Sequence, residues 1–337
     1  MRDYREDDSV LSRREFTASS LAFLAGSSVA RAQTGYADRQ IRIVVGYAAG
    51  GGVDLVARMF GEPMKATLGQ PVIVENRPGA SAMIAANVVA KSPPDGLSLL
   101  MAASGEVAIN QHLYKDKMTY DPLRELAPVA LIGIVPCVVV VGANVPVRNA
   151  VELVAYARAN RGKLSFSSSG VGNPQQLAGE LMNSMAGTDV LHVPYRGSAP
   201  AVTDVATGSV TMSFSSLAAA LALMQDGRIR AVAVTSRERM PQLPDVPTLA
   251  EAGPELKDYE LLNWFGMFAP AGTPEPIVTK LNEIVNTGLR DKAIAEKLEV
   301  QGIVPRIMSA PQYRDFVVSE AAKFGKIVQQ ANIRIEN

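Results

Sequence analysis

The sequence predicts an α/β protein of two units, each a mostly parallel sheet flanked by helices. Three observations carry that expectation. From about residue 39, short β-branched apolar runs alternate with segments of helical periodicity, the pattern of βαβ units. The alternation restarts after a strand-like apolar stretch at 129–141. A chain of 337 residues, 47% hydrophobic and 20% charged, is also long and apolar enough for two cores.

The N-terminus reads as a targeting segment. Ser12-Arg13-Arg14-Glu15-Phe16-Thr17 is a twin-arginine pattern, Ala18 to Ala30 is uncharged and weakly apolar, and Ala30-Arg31-Ala32 reads as a small-x-small cleavage site before Gln33. Residues 1–32 are therefore expected to be an export signal. Its removal takes away five basic and five acidic residues and leaves the rest neutral.

The first unit begins with a β-branched strand, Ile41–Val45, and an apolar-periodic helix from Val53 to about Leu68. Pro63 falls inside that helix and is expected to kink or split it. A strand at Val72–Glu75, a helix from about Ser81 to Ala90 and a strand at Ser98–Met101 follow, with turns marked by "RPG" at 77–79 and "PPDG" at 93–96. Leu126 to Val147 carries no charge and is long enough to span a bilayer. Pro128, Pro136 and Pro146 divide it, and "CVVVV" at 137–141 suits a buried strand.

The second unit repeats the alternation. Helices are expected at Val151–Ala159, Gln175–Met185, Ala199–Thr207 and Leu217–Gln225, and strands at Leu164–Ser168, Val190–Val193, Val210–Phe214 and Ala231–Thr235. The four prolines within 241–260 predict a loop with at most a short helix. "NWFGMFAPAGTPEP" reads as a strand and turn, followed by long amphipathic helices at about 275–290 and 311–331. One strand cannot make its own sheet, so this tail is expected to return to the first unit. The division is 38–138 with 266–337, and 139–265 between them, joined by two crossing strands near 138–142 and 262–267.

Composition excludes several functions. Thirty-three basic residues offset thirty-three acidic ones, so net charge favours neither nucleic acid nor an anionic membrane. Two histidines and one cysteine, far apart, suggest no metal cluster. Cys137 can form no internal disulfide, and His192 reads as a strand-end histidine. No serine sits in a G-x-S-x-G elbow and no carboxylate pair is suggested by spacing. The chemistry expected is binding, with no cofactor and no metal.

The feature that asks for a ligand is "GYAAGGGVD", 46–54, between the first strand and helix. Gly50-x-Gly52 with Glu75 further on resembles a dinucleotide fingerprint. Leu55 stands where its third glycine should be, and its side chain is expected to obstruct helix–strand packing. No Gly-Lys-Ser/Thr follows, so this is no P-loop. What remains is a row of backbone N–H groups, Gly51, Gly52 and Val53, at a helix N-terminus that attracts an anion, or else a tight turn without a ligand. Asp54 has the wrong sign for an anion and is expected to brace the loop or to meet a ligand's ammonium or hydroxyl.

Other strand ends supply matching groups. Ser104 lies in "AASGE", 102–106; Ser168, Ser169, Gly170 and Asn173 lie in "SFSSSGVGNP", 165–174; Ser215 lies in "SFSS", 213–216. "HVPYRG", 192–197, adds Tyr195 and Arg196, the latter a possible bidentate partner for a carboxylate. Arg77 reads as a turn brace.

Taken in order, "IRIVVGYAAGGGVDLVAR", "LGQPVIVENRPGA", "PDGLSLLM", "YDPLRELAPV", "GKLSFSSSGVGN", "AGELMNSMAG", "HVPYRGSAPAVTD", "IRAVAVTS", "LPDVPTLAEAG" and "WFGMFAPAGTP" span nearly all of the chain beyond the signal. This set resembles the solute receptors of tripartite tricarboxylate transporters, the Bug or TctC family of periplasmic binding proteins. The resemblance implies a two-lobed type II periplasmic-binding-protein fold, a monomer in the periplasm, and delivery of a small carboxylate solute to a membrane permease. It implies that the loop Tyr47, Ala48 to Asp54 grips one carboxylate through N–H groups and waters, with Ser168–Asn173 and Phe214–Ser216 contributed by the second lobe. The chain departs from the family at Gly46 and Ala49, where prolines are usual, so a looser loop is expected. Phe214-Ser215-Ser216 replaces a common Phe-Asp-Asn, which removes a carboxylate and favours a plain carboxylate ligand over an amino acid. Two other readings are an exported dinucleotide-dependent enzyme and a receptor that signals to a sensor.

Overall fold

A computed structural model describes residues 36–333; the twin-arginine segment lies outside them. The chain enters β1 (Ile41–Val45), α1 (Gly52–Leu68), β2 (Val72–Asn76), α2 (Met83–Ala90) and β3 (Ser98–Ala103). β1 lies between β2 and β3, parallel to both, with Val45 aligned to Asn76 and to Met101. Ile41, Ile43 and Val45 face one apolar cluster and Val44 another. A strand covered on both faces is continuously apolar. α1 is not split at Pro63. Phe60 and Met64, both fully buried, hold its inner face on either side of the proline, and the helix runs to Gly69, whose left-handed backbone ends it.

After β3 a π-type turn, Gly105–Ile109, leads into α3 (Asn110–Leu113), α4 (Pro122–Glu125), β4 (Leu126–Pro136) and β5 (Val138–Gly142). The stretch read as one strand-like run at 129–141 is thus two strands in two different sheets. Cys137 lies between them: its N–H donates to Thr235 Oγ1 at 2.8 Å and its carbonyl accepts the Thr235 N–H at 3.0 Å. Pro136, which has no N–H for a ladder, sits just before the change of sheet. No described helix is long and apolar enough to cross a membrane.

The second sheet comes from α5 (Ala150–Ala159), β6 (Leu164–Ser168), α6 (Pro174–Ala186), β7 (Val190–Pro194), α7 (Ser198–Thr207), β8 (Met212–Ser215), α8 (Leu217–Gln225) and β9 (Ile229–Val234). The loop after β9 holds two short 3₁₀ turns, Leu249–Ala252 and Pro254–Leu256. β10 (Leu262–Pro270), α9 (Glu275–Arg290), α10 (Lys292–Val300), β11 (Val304–Pro305) and α11 (Ala310–Gln330) complete the chain. α10 and β11 were not legible in the periodicity; Asp291, accepting the Ala293 and Ile294 N–H groups at 2.8 and 3.2 Å, starts α10 directly after α9.

The six-stranded sheet has the order β11-β4-β10-β3-β1-β2 and the five-stranded sheet β7-β6-β8-β5-β9. In the first, β1 to β4 share one direction, with β10 and β11 opposed. In the second, β6 to β9 share one direction and only β5 opposes. β10 is the returning tail: it inserts between β4 and β3, and β11 adds to the far side of β4, so the tail packs on the first sheet. One apolar cluster is continuous from Val44 and Leu100 of the first sheet to Phe166 and Phe214 of the second. The chain passes between sheets at Cys137 and again over 235–261.

Candidate functional site

The loop after β1 is built by close approach and by one carboxylate. A Cβ on Gly46 would stand 2.3 Å from the Ala82 Cβ, so only glycine fits there. Gly50 turns the chain with φ +82°, where a side chain is strained. Asp54, 1% exposed, accepts the Gly50 N–H at 2.8 Å, both Arg58 Nε and an Arg58 terminal nitrogen at 3.0 Å, and Asn76 Nδ2 at 2.8 Å. Asn76, at the end of β2, also donates to the Tyr47 carbonyl at 3.0 Å. Burial pushes the Asp54 carboxyl up, but the Arg58, Gly50 and Asn76 bonds together outweigh it and hold it below the ordinary range. Asp54 is a charged brace whose oxygens are already occupied. These bonds tie the loop to α1 and to β2.

The brace leaves donors free. Gly51 N–H closes the turn onto the Ala48 carbonyl at 3.3 Å, so it is not in the donor row expected of it. No side chain caps α1. Gly52, Val53 and Asp54 form its first turn, and their N–H groups have no acceptor among the described residues, while Ala48 to Gly52 are exposed. Unpaired N–H groups at a helix start carry partial positive charge. Leu55 points outward, 37% exposed, while Val53, Val56, Ala57 and Phe60 are buried. It obstructs nothing, which corrects the steric argument against a dinucleotide. Glu75, the candidate ribose acid, is committed instead to Arg77 at 2.5 Å and Arg42 at 3.3 Å, and Arg77 is the brace expected.

Beneath the loop, Tyr47 donates its hydroxyl to Glu106 Oε2 at 2.7 Å. Glu106 is fully buried, and its other oxygen accepts the Ala103 N–H at 3.0 Å. Burial pushes this carboxyl from 4.5 up to about 7 against the lowering by those bonds. Ser104, also fully buried, donates to Asn263 Oδ1 at 2.8 Å, where β10 begins. Its hydroxyl is buried and committed to Asn263, which does not suit its predicted ligand role; Asn263 itself is half-buried.

Before α2, Ala80, Ser81 and Ala82 adopt φ of 46°, 52° and 67°. Three successive non-glycine residues in the left-handed region are costly, ~1–2 kcal/mol each, and such strain collects at functional sites. Ser81 Oγ lies 3.0 Å from the Tyr114 hydroxyl and 3.3 Å from the carbonyl of Val171, in the loop after β6. Asn110 Nδ2 donates to the Ser81 carbonyl at 2.9 Å. The strained turn therefore touches loops of both sheets, through Ala82 against Gly46 and Ser81 against Val171.

The loop after β6 is largely satisfied from within. Ser168 donates to the Gly170 carbonyl at 2.8 Å and lies 2.7 Å from His192 Nε2. Burial lowers the His192 imidazole to about 4; with the Ser168 hydroxyl hydrogen on the Gly170 carbonyl, the tautomer that fits carries its hydrogen on Nε2 and donates it to Ser168 Oγ. Gly170 N–H is directed at Ser168 Oγ, 3.3 Å, and Ser169 Oγ accepts Asn173 Nδ2 at 2.8 Å. Asn173 caps α6 by accepting the Gln176 N–H at 3.0 Å. Of the donors predicted here, the Ser169 hydroxyl hydrogen and the second Asn173 amide hydrogen have no acceptor among the described residues. Tyr195 commits its hydroxyl to Asp204 at 2.5 Å. Ser215 is fully buried beside Val138 and its hydroxyl has no partner among the described residues, so it faces the interior and not solvent. Arg196 is exposed on the adjoining loop. The depression lined by Gln111, Lys115, Thr119 and Asp121 carries none of these groups. No group of three or more potential metal ligands occurs among the described residues.

Comparison with known proteins converges on one family. A family model described as "Tripartite tricarboxylate transporter family receptor" matches residues 56–333. The chain is 32% identical to protein BugT of Bordetella pertussis over 302 residues, 89% of this chain and 92% of that one. It is similar to the R. palustris protein Rpa4515 solved with adipate, with 36% identity, TM-score 0.82, and coverage of 89% and 99% of the two chains. It is similar as well to MatC from Rhodopseudomonas palustris with bound malate, with 32% identity, TM-score 0.77, and coverage of 87% and 100%.

Proposed function

The chain belongs to the tripartite tricarboxylate transporter receptor family, whose members are solute receptors and not enzymes, and we propose that it captures a small carboxylate solute between its two lobes and delivers it to membrane permease subunits. The observation that carries this reading is the start of α1, where the N–H groups of exposed Gly52 and of buried Val53 and Asp54 have no acceptor among the described residues and the Asp54 carboxylate holds the Gly50 turn beside them. Such a row binds a carboxylate oxygen without a cation. Rpa4515 was solved with adipate and MatC with malate, both carboxylates, in accord with that chemistry.

In this reading residues 1–32 direct export, the receptor works as a monomer in the periplasm, and 139–265 forms the lobe that moves against 38–138 with 266–337. Closure bends the two crossings, at Cys137 and beyond Thr235, because a solute that contacts both lobes stabilises the closed arrangement. A solute that binds only the folded state raises its melting temperature. Ligand-stripped protein is expected to gain several degrees with adipate, malate or another member of a mono- and dicarboxylate panel. No shift across that panel would overturn the assignment.

A further inference from the structure

We infer that solute capture is linked to a proton: an anion bound at Gly52–Asp54 is accompanied by proton uptake at the Glu106 carboxylate. The inference rests on the carboxylate reading above and deepens it. Its geometry is the single connection Tyr47 makes between the solute loop and a carboxyl sealed in the core. Glu106 Oε2 accepts the Tyr47 hydroxyl at 2.7 Å and Oε1 the Ala103 N–H at 3.0 Å, and no lysine or arginine forms an ion pair with it among the described residues.

The groups around it are neutral. Tyr120 donates to the Glu106 carbonyl at 2.6 Å, and α11 presents Tyr313, whose buried hydroxyl has no partner among the described residues. Burial first, and then the Glu106 charge, hold all three tyrosines far above their ordinary value. α3 contributes His112, turned to the Ala321 carbonyl at 2.8 Å. α4 contributes Arg124 and Glu125, which pair with Asp121 and Lys91 near the surface. β3, α2 and the Ala80–Ala82 turn bring no ionisable side chain to it. An ionised Glu106 is thus a buried charge stabilised only by dipoles, the costly case.

A second negative charge on the loop, one tyrosine side chain away at roughly 10 Å, disfavours that ionised form by about tenfold at an effective dielectric near 20. The balance is simple: carboxylate plus solvent proton gives carboxylic acid, and the new O–H donates to the Tyr47 oxygen. Burial already holds the Glu106 carboxyl near neutrality, at about 7, so the exchange falls within an ordinary working range.

The test is isothermal titration of full-length protein with adipate and with malate near pH 7.5, in buffers of different ionisation enthalpy, where both probes are fully ionised. Linkage predicts roughly half a proton taken up per solute, and affinity that weakens about tenfold from pH 6 to pH 9. Glu106→Gln should abolish the uptake and flatten the pH profile. If that variant does not fold, wild-type protein carries the test: the infrared C=O band of a protonated carboxyl should grow on adding adipate, and no growth would overturn the inference. Binding without proton uptake, or uptake that persists in Glu106→Gln, would overturn the inference and leave the receptor reading intact. Absence of binding by either probe and by the carboxylate panel would overturn the receptor reading itself and the inference with it.

Discussion

Asp54 reaches back to accept the Gly50 N–H at 2.8 Å, so a residue inside the helix fixes the residue that bends the chain into it. The same carboxylate gathers Arg58 and Asn76. Asp54→Ala removes all of these at once, takes from the Gly50 N–H its side-chain acceptor and leaves the Asn76 amide with the Tyr47 carbonyl alone. The expected cost is about 2–4 kcal/mol by urea unfolding, together with loss of the solute-induced thermal shift. Because the folded-state carboxyl is depressed, the wild-type contribution is present above the ordinary aspartate value of 3.8 and is lost only as pH falls below it. A variant that unfolds at the same urea concentration as wild type would show that the brace is not structural.

Two buried groups titrate with opposite effects. Glu106 rises from 4.5 to about 7 through burial, so stability increases as pH falls from 7 to 4.5. His192 drops from 6.5 to about 4, also through burial, so stability decreases as pH falls across nearly the same window. Each slope is at most about 1.4 kcal/mol per pH unit. Wild-type protein is expected to be nearly level between pH 4.5 and 6.5. Glu106→Gln should lose stability on acidification through that window and His192→Gln should gain it, and urea midpoints at half-unit steps measure both. Slopes of the same sign in the two variants would contradict the assignment.

The fold was legible because strand and helix periods alternate plainly. Ile41–Val45, Leu164–Ser168 and Leu217–Gln225 were placed to the residue. The site was legible only where local chemistry dictated it, as at Gly50 and Asp54, four residues apart. Glu106 beneath Tyr47, and Asn263 on Ser104, join positions 59 and 159 residues apart, and no local pattern announces such pairs. The hydroxyls of Ser168 and Ser215 looked available in sequence, because a serine's type does not reveal whether His192 or the interior already claims it. Nor does "ASA" at 80–82 signal a left-handed run, since the contacts of Ser81 with Tyr114 and Val171 impose it from elsewhere.

That strained turn yields a substitution that inverts the usual rule. Glycine normally destabilises through unfolded-state entropy, yet Ala80 is exposed and held at φ +46°. Relief of the left-handed penalty should exceed that cost. Ala80→Gly is expected to raise stability by up to about 1 kcal/mol in urea unfolding. A loss would mean that the turn relaxes in solution.

The donor row itself is best tested at Gly52. Its backbone is helical, and a Cβ there would rest 3.4 Å from the Phe265 ring, tight contact with a side chain able to shift slightly. Gly52→Ala is therefore expected to keep the fold, with a gain in helix propensity of up to ~1 kcal/mol against that crowding. Gly52→Val adds two methyl groups beside the Gly52 and Val53 N–H groups, where an approaching carboxylate oxygen needs to come within about 3 Å. Solute binding by the valine variant should be abolished and binding by the alanine variant weakened, while circular dichroism of both matches wild type. Thermal shifts with adipate or malate read the difference. Because α1 remains folded in both variants, an undiminished shift in Gly52→Val would place the solute's carboxylate somewhere other than the start of that helix.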